Sequence, residues 1–276
     1  MKKPIQLLFL LTFLPTILLA QTGSKVFDNL TIKSKILNTE QKYAVYLPPG
    51  YDNSERSYPV LYLFHGHGDD QTGWIQFGEL KRITDKAIED GSATPMIIVM
   101  PNGNNDIIGY FNTIDGKWRY EDYFFKEFMP EIEKKFRIKS ERRFRAIAGL
   151  SMGGGASYIY AMHHPELFSS SYVMSGSPGI RADANADEKT KAYIQNYNAL
   201  QQVEVLPTDK ISSVRWFIDC GDDDFLSVDN CNIHIAMLAK KIPHEFRVRD
   251  GHHSWTYWRA SLPEALKFVT DAFHQY

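Results

Sequence analysis

The chain has 276 residues, with 31 Lys and Arg against 33 Asp and Glu, a formal net charge of −2 and two cysteines. So balanced a charge excludes the basic footprint of a nucleic-acid or anionic-membrane binder, and two cysteines make neither a disulfide framework nor a metal signature. With 43% hydrophobic residues the chain is long enough to bury the core of one large domain.

Met1-Lys2-Lys3 and the uncharged apolar run Ile5 to Ala20 have the layout of a secretory signal peptide with cleavage after Ala20, Leu18 standing three residues before the cut. A membrane anchor fits less well. The run contains Pro15, is short for a bilayer span, and has no cysteine beside Ala20 to take a lipid. The expected product is a single domain, 21–276, secreted or periplasmic, with no membrane or nucleic-acid partner. It carries 29 basic and 33 acidic residues, a net −4, because Lys2 and Lys3 leave with the signal.

Short β-branched or aromatic runs then alternate with longer helical patterns, which predicts an α/β fold with a mostly parallel sheet and helices on both faces. Strands are expected at Lys42 to Leu47, Val60 to Phe64, Met96 to Met100, Phe144 to Ala148, Ser170 to Met174, Val214 to Ile218 and Glu245 to Val248, with Val26 to Ile32 as an antiparallel edge. Helices are expected at Leu80 to Glu89, Glu121 to Phe136, Met152 to His163, Lys189 to Leu200, Asn230 to Lys240 and Leu262 to Phe273. In the second of these, Phe124, Phe125, Phe128, Met129, Ile132 and Phe136 recur at helical spacing and predict a core stripe. Ser175 to Lys210 carries mixed signals and falls where such sheets bind ligands. Cys220 and Cys231 are expected as free, buried thiols.

Gly149-Leu150-Ser151-Met152-Gly153-Gly154-Gly155 sits between a strand and a helix and reads as a nucleophile elbow. In that device a strand turns so tightly into a helix that its flanks accept almost no side chain, and the serine is pushed out beside the helix N–H groups. A serine hydroxyl needs a base held by a carboxylate, and on this fold the chain order is serine, acid, histidine. Asp222-Asp223-Asp224 follows one strand and His252-His253 follows the last, so both fall on the serine's edge of the sheet. The pattern alone does not choose among the three aspartates or between the two histidines.

His65-Gly66-His67-Gly68, the elbow, Cys220-Gly221-Asp222-Asp223-Asp224-Phe225-Leu226 and His253-Ser254-Trp255-Thr256-Tyr257-Trp258-Arg259 together resemble the feruloyl and acetyl-xylan esterases of carbohydrate esterase family one. The wider esterase D and mycolyltransferase relatives are similar too. The resemblance implies an α/β-hydrolase fold and a triad of Ser151, Asp224 and His253. At the last of these the family's usual Gly-Gly-His is replaced by Gly251-His252-His253. It also implies an oxyanion hole from the backbone N–H groups of His67 and Met152.

No cofactor and no metal are expected, since His65 and His67 lack further ligands nearby. Trp74 and Trp118 are the expected substrate contacts within a set of loop aromatics that includes Tyr110, Phe111, Tyr120, Trp255 and Trp258. His163 and His164 suit the end of the helix after the elbow, and Arg259 is expected to pair with a carboxylate. The implied activity is serine carboxylesterase on an acylated oligo- or polysaccharide of plant cell walls, with feruloyl esters first and acetyl esters second. Acyl transfer to a sugar, or carbohydrate binding by an inactive homologue, are the remaining readings.

Overall fold

A computed structural model describes residues 23–103, 109–181 and 183–274. The expected signal segment 1–20 and its cut at Ala20 lie outside the described residues. Eight strands, β1 (Lys25–Ser34), β2 (Thr39–Leu47), β3 (Val60–Phe64), β4 (Ile97–Pro101), β5 (Arg145–Leu150), β6 (Ser170–Met174), β7 (Arg215–Gly221) and β8 (Glu245–Arg249), form one sheet in the order β1-β2-β4-β3-β5-β6-β7-β8. The β1–β2 and β2–β4 pairs are antiparallel, and every pair from β4–β3 to β7–β8 is parallel.

Between the strands run α1 (Gly73–Gln76), α2 (Leu80–Glu89), α3 (Tyr120–Tyr123), α4 (Met129–Lys135), α5 (Met152–His163), α6 (Glu188–Asn196), α7 (Ala199–Val205), α8 (Thr208–Ser212), α9 (Ser227–Ala239) and α10 (Trp255–His274). The central strands are buried on both faces, hence their near-continuous apolar runs. Alternate residues sort onto two cores. Val60, Tyr62, Phe64, Ile147 and Val173 pack with α3 to α5, α7 and α9, whereas Leu61, Leu63, Ala146, Ala148 and Tyr172 pack with α2 and α10.

The differences from the sequence reading have local causes. The helix expected over Glu121 to Phe136 has the right extent, but a π-helical turn, Phe124–Phe128, separates α3 from α4. Within that turn Glu127 accepts from the Ser34 hydroxyl at 2.6 Å and from the N–H of Lys35 and Ile36, which ties the helix to the β1–β2 turn. The helix expected over Lys189 to Leu200 is two helices, because Asn198 leaves the helical conformation and its side chain caps α7 at the Gln201 N–H.

The last helix starts at Trp255, seven residues before the expected start at Leu262, and continues through Pro263. There the buried face Trp258, Leu262, Ala265, Leu266 and Val269 outweighs the proline signal. Cys220 and Cys231 are both free, but Cys231, on α9 beside the buried Asn230, is only half-buried; burial pushes the Cys220 thiol up to about 12.

Beneath the carboxyl end of the sheet, the fully buried Asp219 of β7 accepts from Arg249 Nη2 at 2.6 Å, Tyr257 Oη at 2.6 Å and Tyr172 Oη at 2.8 Å, while its carbonyl accepts the Ser175 N–H at 2.7 Å. This one carboxylate joins β6, β7, β8 and α10. Removing it leaves two phenols without an acceptor and a guanidinium with only the Ser261 hydroxyl at 2.6 Å, and breaking a buried pair from one side costs about 3–5 kcal/mol. Asp219→Ala is therefore expected to lose about that much in urea unfolding, while a loss below about 1 kcal/mol would show that water replaces the carboxylate.

Candidate active site

Ser151 sits at the point where β5 becomes α5, with φ 53° and ψ −118°, a backbone that a residue with a side chain adopts only under constraint. The constraint is visible. Its N–H donates to Met174 O at 3.0 Å, and its carbonyl accepts from Gly155 N at 3.0 Å and Ser177 N at 2.9 Å. A Cβ at Gly149 would lie 2.4 Å from Gly153 O, and one at Gly153 would lie 2.6 Å from His65 O, so the turn closes only around glycine.

His253 lies in the loop between β8 and α10, with Nε2 at 2.9 Å from Ser151 Oγ. Its Nδ1 faces both oxygens of Asp224, at 2.8 and 3.0 Å, so Nδ1 carries the proton and Nε2 is free to accept one. Asp224 also accepts from Leu226 N–H at 2.8 Å and from the Ser175 hydroxyl. Burial raises the Asp224 pKa, but these bonds outweigh it and hold the carboxyl below its ordinary range. Of the acidic run only Asp224 reaches the histidine. Asp222 and Asp223 are exposed, as is His252, which lies 3.8 Å from Asp223. Hydroxyl, imidazole and carboxylate thus stand in hydrogen-bonded series, an arrangement able to move a proton off the serine as it attacks an acyl carbon.

Met152 opens α5, and its backbone N–H has no acceptor among the described residues, nor has that of His67. Both residues line one cavity of about 390 Å³. The loop carrying His67 is held from below by the buried His65, whose Nδ1 donates to Gly66 O at 2.8 Å and whose Nε2 accepts from Gly103 N at 3.0 Å. Burial lowers the His65 pKa, which keeps the ring neutral and able to do both. A Cβ at Gly66 would fall 3.3 Å from Ser151 Cβ, so this loop passes directly beside the serine.

The cavity is walled by Tyr110, Phe111, Met152 and Ile180, with Gly155 and Ser177 beneath. Ser177 and Ile180 come from the segment of mixed signals after β6. Phe111 stacks on Tyr197 at 4.8 Å, and the Tyr197 hydroxyl donates to Glu121 at 2.6 Å. Burial pushes Glu121 up, but bonds from His163, His164 and Tyr197 outweigh it and bring it down to about 2.

Trp74 and Trp118 do not line this cavity. Trp74 is 1% exposed, gives its indole N–H to Phe64 O at 3.0 Å and meets Trp255 edge-on; Trp118 is 6% exposed and gives its N–H to Gly109 O at 3.3 Å. Trp74 fastens α1 to β3 and Trp118 ties its own loop to the one carrying Gly109, which corrects the expectation that they contact substrate. Tyr110, Tyr120 and Trp258 are buried too.

Two residues escaped the sequence reading. Phe225 is 71% exposed with its ring 4.4 Å from that of His253, and Ser175, at φ 46°, bridges Trp258 Nε1 (3.1 Å) to Asp224. The first follows Asp224 directly, so its place was open to reading; nothing in the pattern marks the second. Asp222, Asp223 and Asp250 bring carboxylate oxygens within 4.8 Å of one another at the surface and are the described residues best placed to hold a cation.

A profile of the family described as "Putative esterase" matches residues 34–269. An "Endo-1,4-beta-xylanase/feruloyl esterase" of Xylanibacter ruminicola is 31% identical over 244 residues, 85% of this chain and 30% of that protein. The chain thus spans about a third of the length of the first curated relatives that it matches. Among solved structures, a ferulic acid esterase superposes with a TM-score of 0.84 at 39% identity, covering 91% of this chain and 99% of that one. An S-formylglutathione hydrolase of Staphylococcus aureus shares the fold at a TM-score of 0.72 and 20% identity, covering 90% and 100%. With its sheet order, its serine elbow and a match over nearly all of its described length, the chain belongs to this esterase family and has the α/β-hydrolase fold.

Proposed function

We propose that residues 21–276 form one exported domain, a serine carboxylesterase that hydrolyses acyl esters of plant cell-wall polysaccharide, feruloyl esters foremost. The single observation that carries the chemistry is the 2.9 Å approach of His253 Nε2 to Ser151 Oγ with Asp224 behind it. In this reading His253 takes the proton as Ser151 attacks the ester carbonyl, and Asp224 fixes the imidazole and balances the imidazolium. The N–H groups of His67 and Met152 receive the oxyanion. The alcohol leaves with the proton from His253, and water repeats the cycle to free the acid.

The feruloyl preference rests on the apolar cavity beside Met152 and His67. Its 390 Å³ lies within the range of small-molecule sites, its walls are Tyr110, Phe111 and Ile180, and a flat phenolic acyl group would fill it where an acetyl group would leave most of it empty. The name of the Xylanibacter relative and that of the ferulic acid esterase structure support the same substrate class. Export is supported by the character of residues 1–20, and among the described residues no helix is long and apolar enough to cross a membrane.

Three measurements test this. Ser151→Ala should lower kcat on methyl ferulate by at least about four orders of magnitude with an unchanged circular dichroism spectrum; retained turnover removes the assignment, and a wild-type preference for an acetylated xylo-oligosaccharide makes deacetylation the function. Ile180→Trp, which fills the cavity, should cost about tenfold in kcat/KM on methyl ferulate and under about twofold on p-nitrophenyl acetate, whereas equal losses would place the acyl group elsewhere. Ser175→Ala removes a bond to a charged carboxylate and should cost about tenfold in kcat at constant KM; a change confined to KM would contradict its role in orienting Asp224.

A further inference from the structure

His67 and Gly68 are neighbours on one loop, yet they line two different cavities. His67 borders the apolar cavity already described, and Gly68 borders a second one of about 450 Å³. The second is walled by Asp69, Asp70, Gln71, Thr72 and Gln76 from the segment after the loop and by Glu40 and Lys42 of β2, with Asn102 just after β4 and Phe77 beside them. Its chemistry is the reverse of the first.

Several of these groups have bonding capacity left over. The half-buried Asp69 carboxylate accepts from the Asp70 N–H at 2.9 Å and shares the cavity with Lys42. Gln71 is 4% exposed. Its Nε2 donates to Asp28 O at 3.2 Å, while its Oε1 has no partner among the described residues. Phe77 is 48% exposed but not loose. Its carbonyl accepts from Arg259 Nη1 at 3.0 Å, and its ring lies 5.9 Å from that of Trp255, tilted by 38°. A fixed, open aromatic face beside carboxylate and amide groups suits a ligand with hydroxyls on its edge and C–H groups on its face, which is the chemistry of a saccharide.

The placement also fits the direction in which an ester must lie. With its carbonyl oxygen at the His67 and Met152 N–H groups, an ester extends its acyl and alcohol parts to opposite sides of the carbonyl carbon. The apolar cavity takes the acyl part in the reading above. The alcohol must depart beside His253, which returns the proton to it. Trp255 follows His253 by two residues and packs against Phe77, so the rim of the polar cavity is joined to the loop that supplies that proton. We propose that the cavity bounded by Gly68, Asp69, Gln76 and Phe77 is a leaving-group subsite that binds the saccharide portion of the ester, with Phe77 as its stacking platform. The inference rests on the esterase reading for its orientation and on the cavity itself for its ligand.

The test compares the wild type with Phe77→Ala and Asp69→Asn on methyl ferulate and on a feruloylated oligosaccharide. Both variants should raise KM for the oligosaccharide about five- to tenfold with kcat within about twofold, and leave both constants for methyl ferulate within about twofold. Parallel changes on the two substrates, or none on either, overturn the subsite. A second measurement separates it from the acyl assignment. Ser151→Ala should bind the unesterified oligosaccharide in calorimetry, about fivefold more weakly when Phe77→Ala is added. Absence of that binding removes the subsite, whereas saccharide binding without any hydrolysis of ferulate by the wild type removes only the feruloyl reading.

Discussion

The structure depends on a backbone held where it does not relax. Ser151 at φ 53° is kept there by its N–H on Met174 O and by Gly155 and Ser177 on its carbonyl, so β5, β6 and α5 all share in the constraint. Strain of this kind costs about 1–3 kcal/mol and persists only where the surroundings over-determine it. The surroundings here are the glycines. Gly149 and Gly153 let the strand, the helix and the loop of His65 approach to distances that no Cβ would allow. A serine hydroxyl and a helix N–H without an acceptor among the described residues consequently emerge at one point, and everything else in the site is arranged around that point.

Asp224 and His253 reach it on separate loops, and those loops are registered from underneath. Asp219 fastens Arg249 at the end of β8, Tyr257 at the start of α10 and Tyr172 on β6. Directly above, Trp258 holds Ser175, which holds Asp224, which holds His253. The lower layer is an ion pair whose carboxylate is fully buried and whose guanidinium is partly exposed, and the upper one is a chain of neutral donors ending on a carboxylate. Their common members, α10 and the Ser175 backbone, connect the stability of the sheet edge to the geometry of the array. This explains why α10 begins at Trp255: Tyr257 and Trp258 have polar partners to reach, so the first turn is fixed by hydrogen bonds as well as by burial.

This division also explains which parts were legible in the sequence. The strands β3 to β7 are buried on both faces and announce themselves as apolar runs, and the elbow is readable because its glycines are sterically required. The order of Ser151, the acidic turn and the histidine pair follows from the topology, although the choice of Asp224 and His253 came from resemblance. The structure supplies the distances. Trp74 and Trp118 were misread because loop position says nothing of which way a ring turns, and both indoles found a carbonyl inside. Ser175 and Asp219 were invisible for the opposite reason. Each matters through partners far away in sequence, and neither residue type is unusual at a strand end.

The same contrast bears on how an esterase of this family separates its substrates. The aromatics that a sequence suggests as a binding surface are mostly spent on holding loops, while Phe111 and Ile180 line the cavity that His67 borders, Phe77 lines the one that Gly68 borders, and Phe225 lies over the His253 ring. These residues have different supports. Phe111 is backed by Tyr197 and a buried Glu121, while Phe77 hangs between Arg259 and Trp255. The two sides can therefore change independently. Under the proposed reading, a substitution at Ile180 would alter which acyl group fits without touching the loop that holds Phe77, and one at Gln76 would alter the polar side without reaching Glu121. A loop only a few residues long, held in place by a neutral His65, would then set the boundary between the part of the ester that becomes the acid and the part that becomes the alcohol.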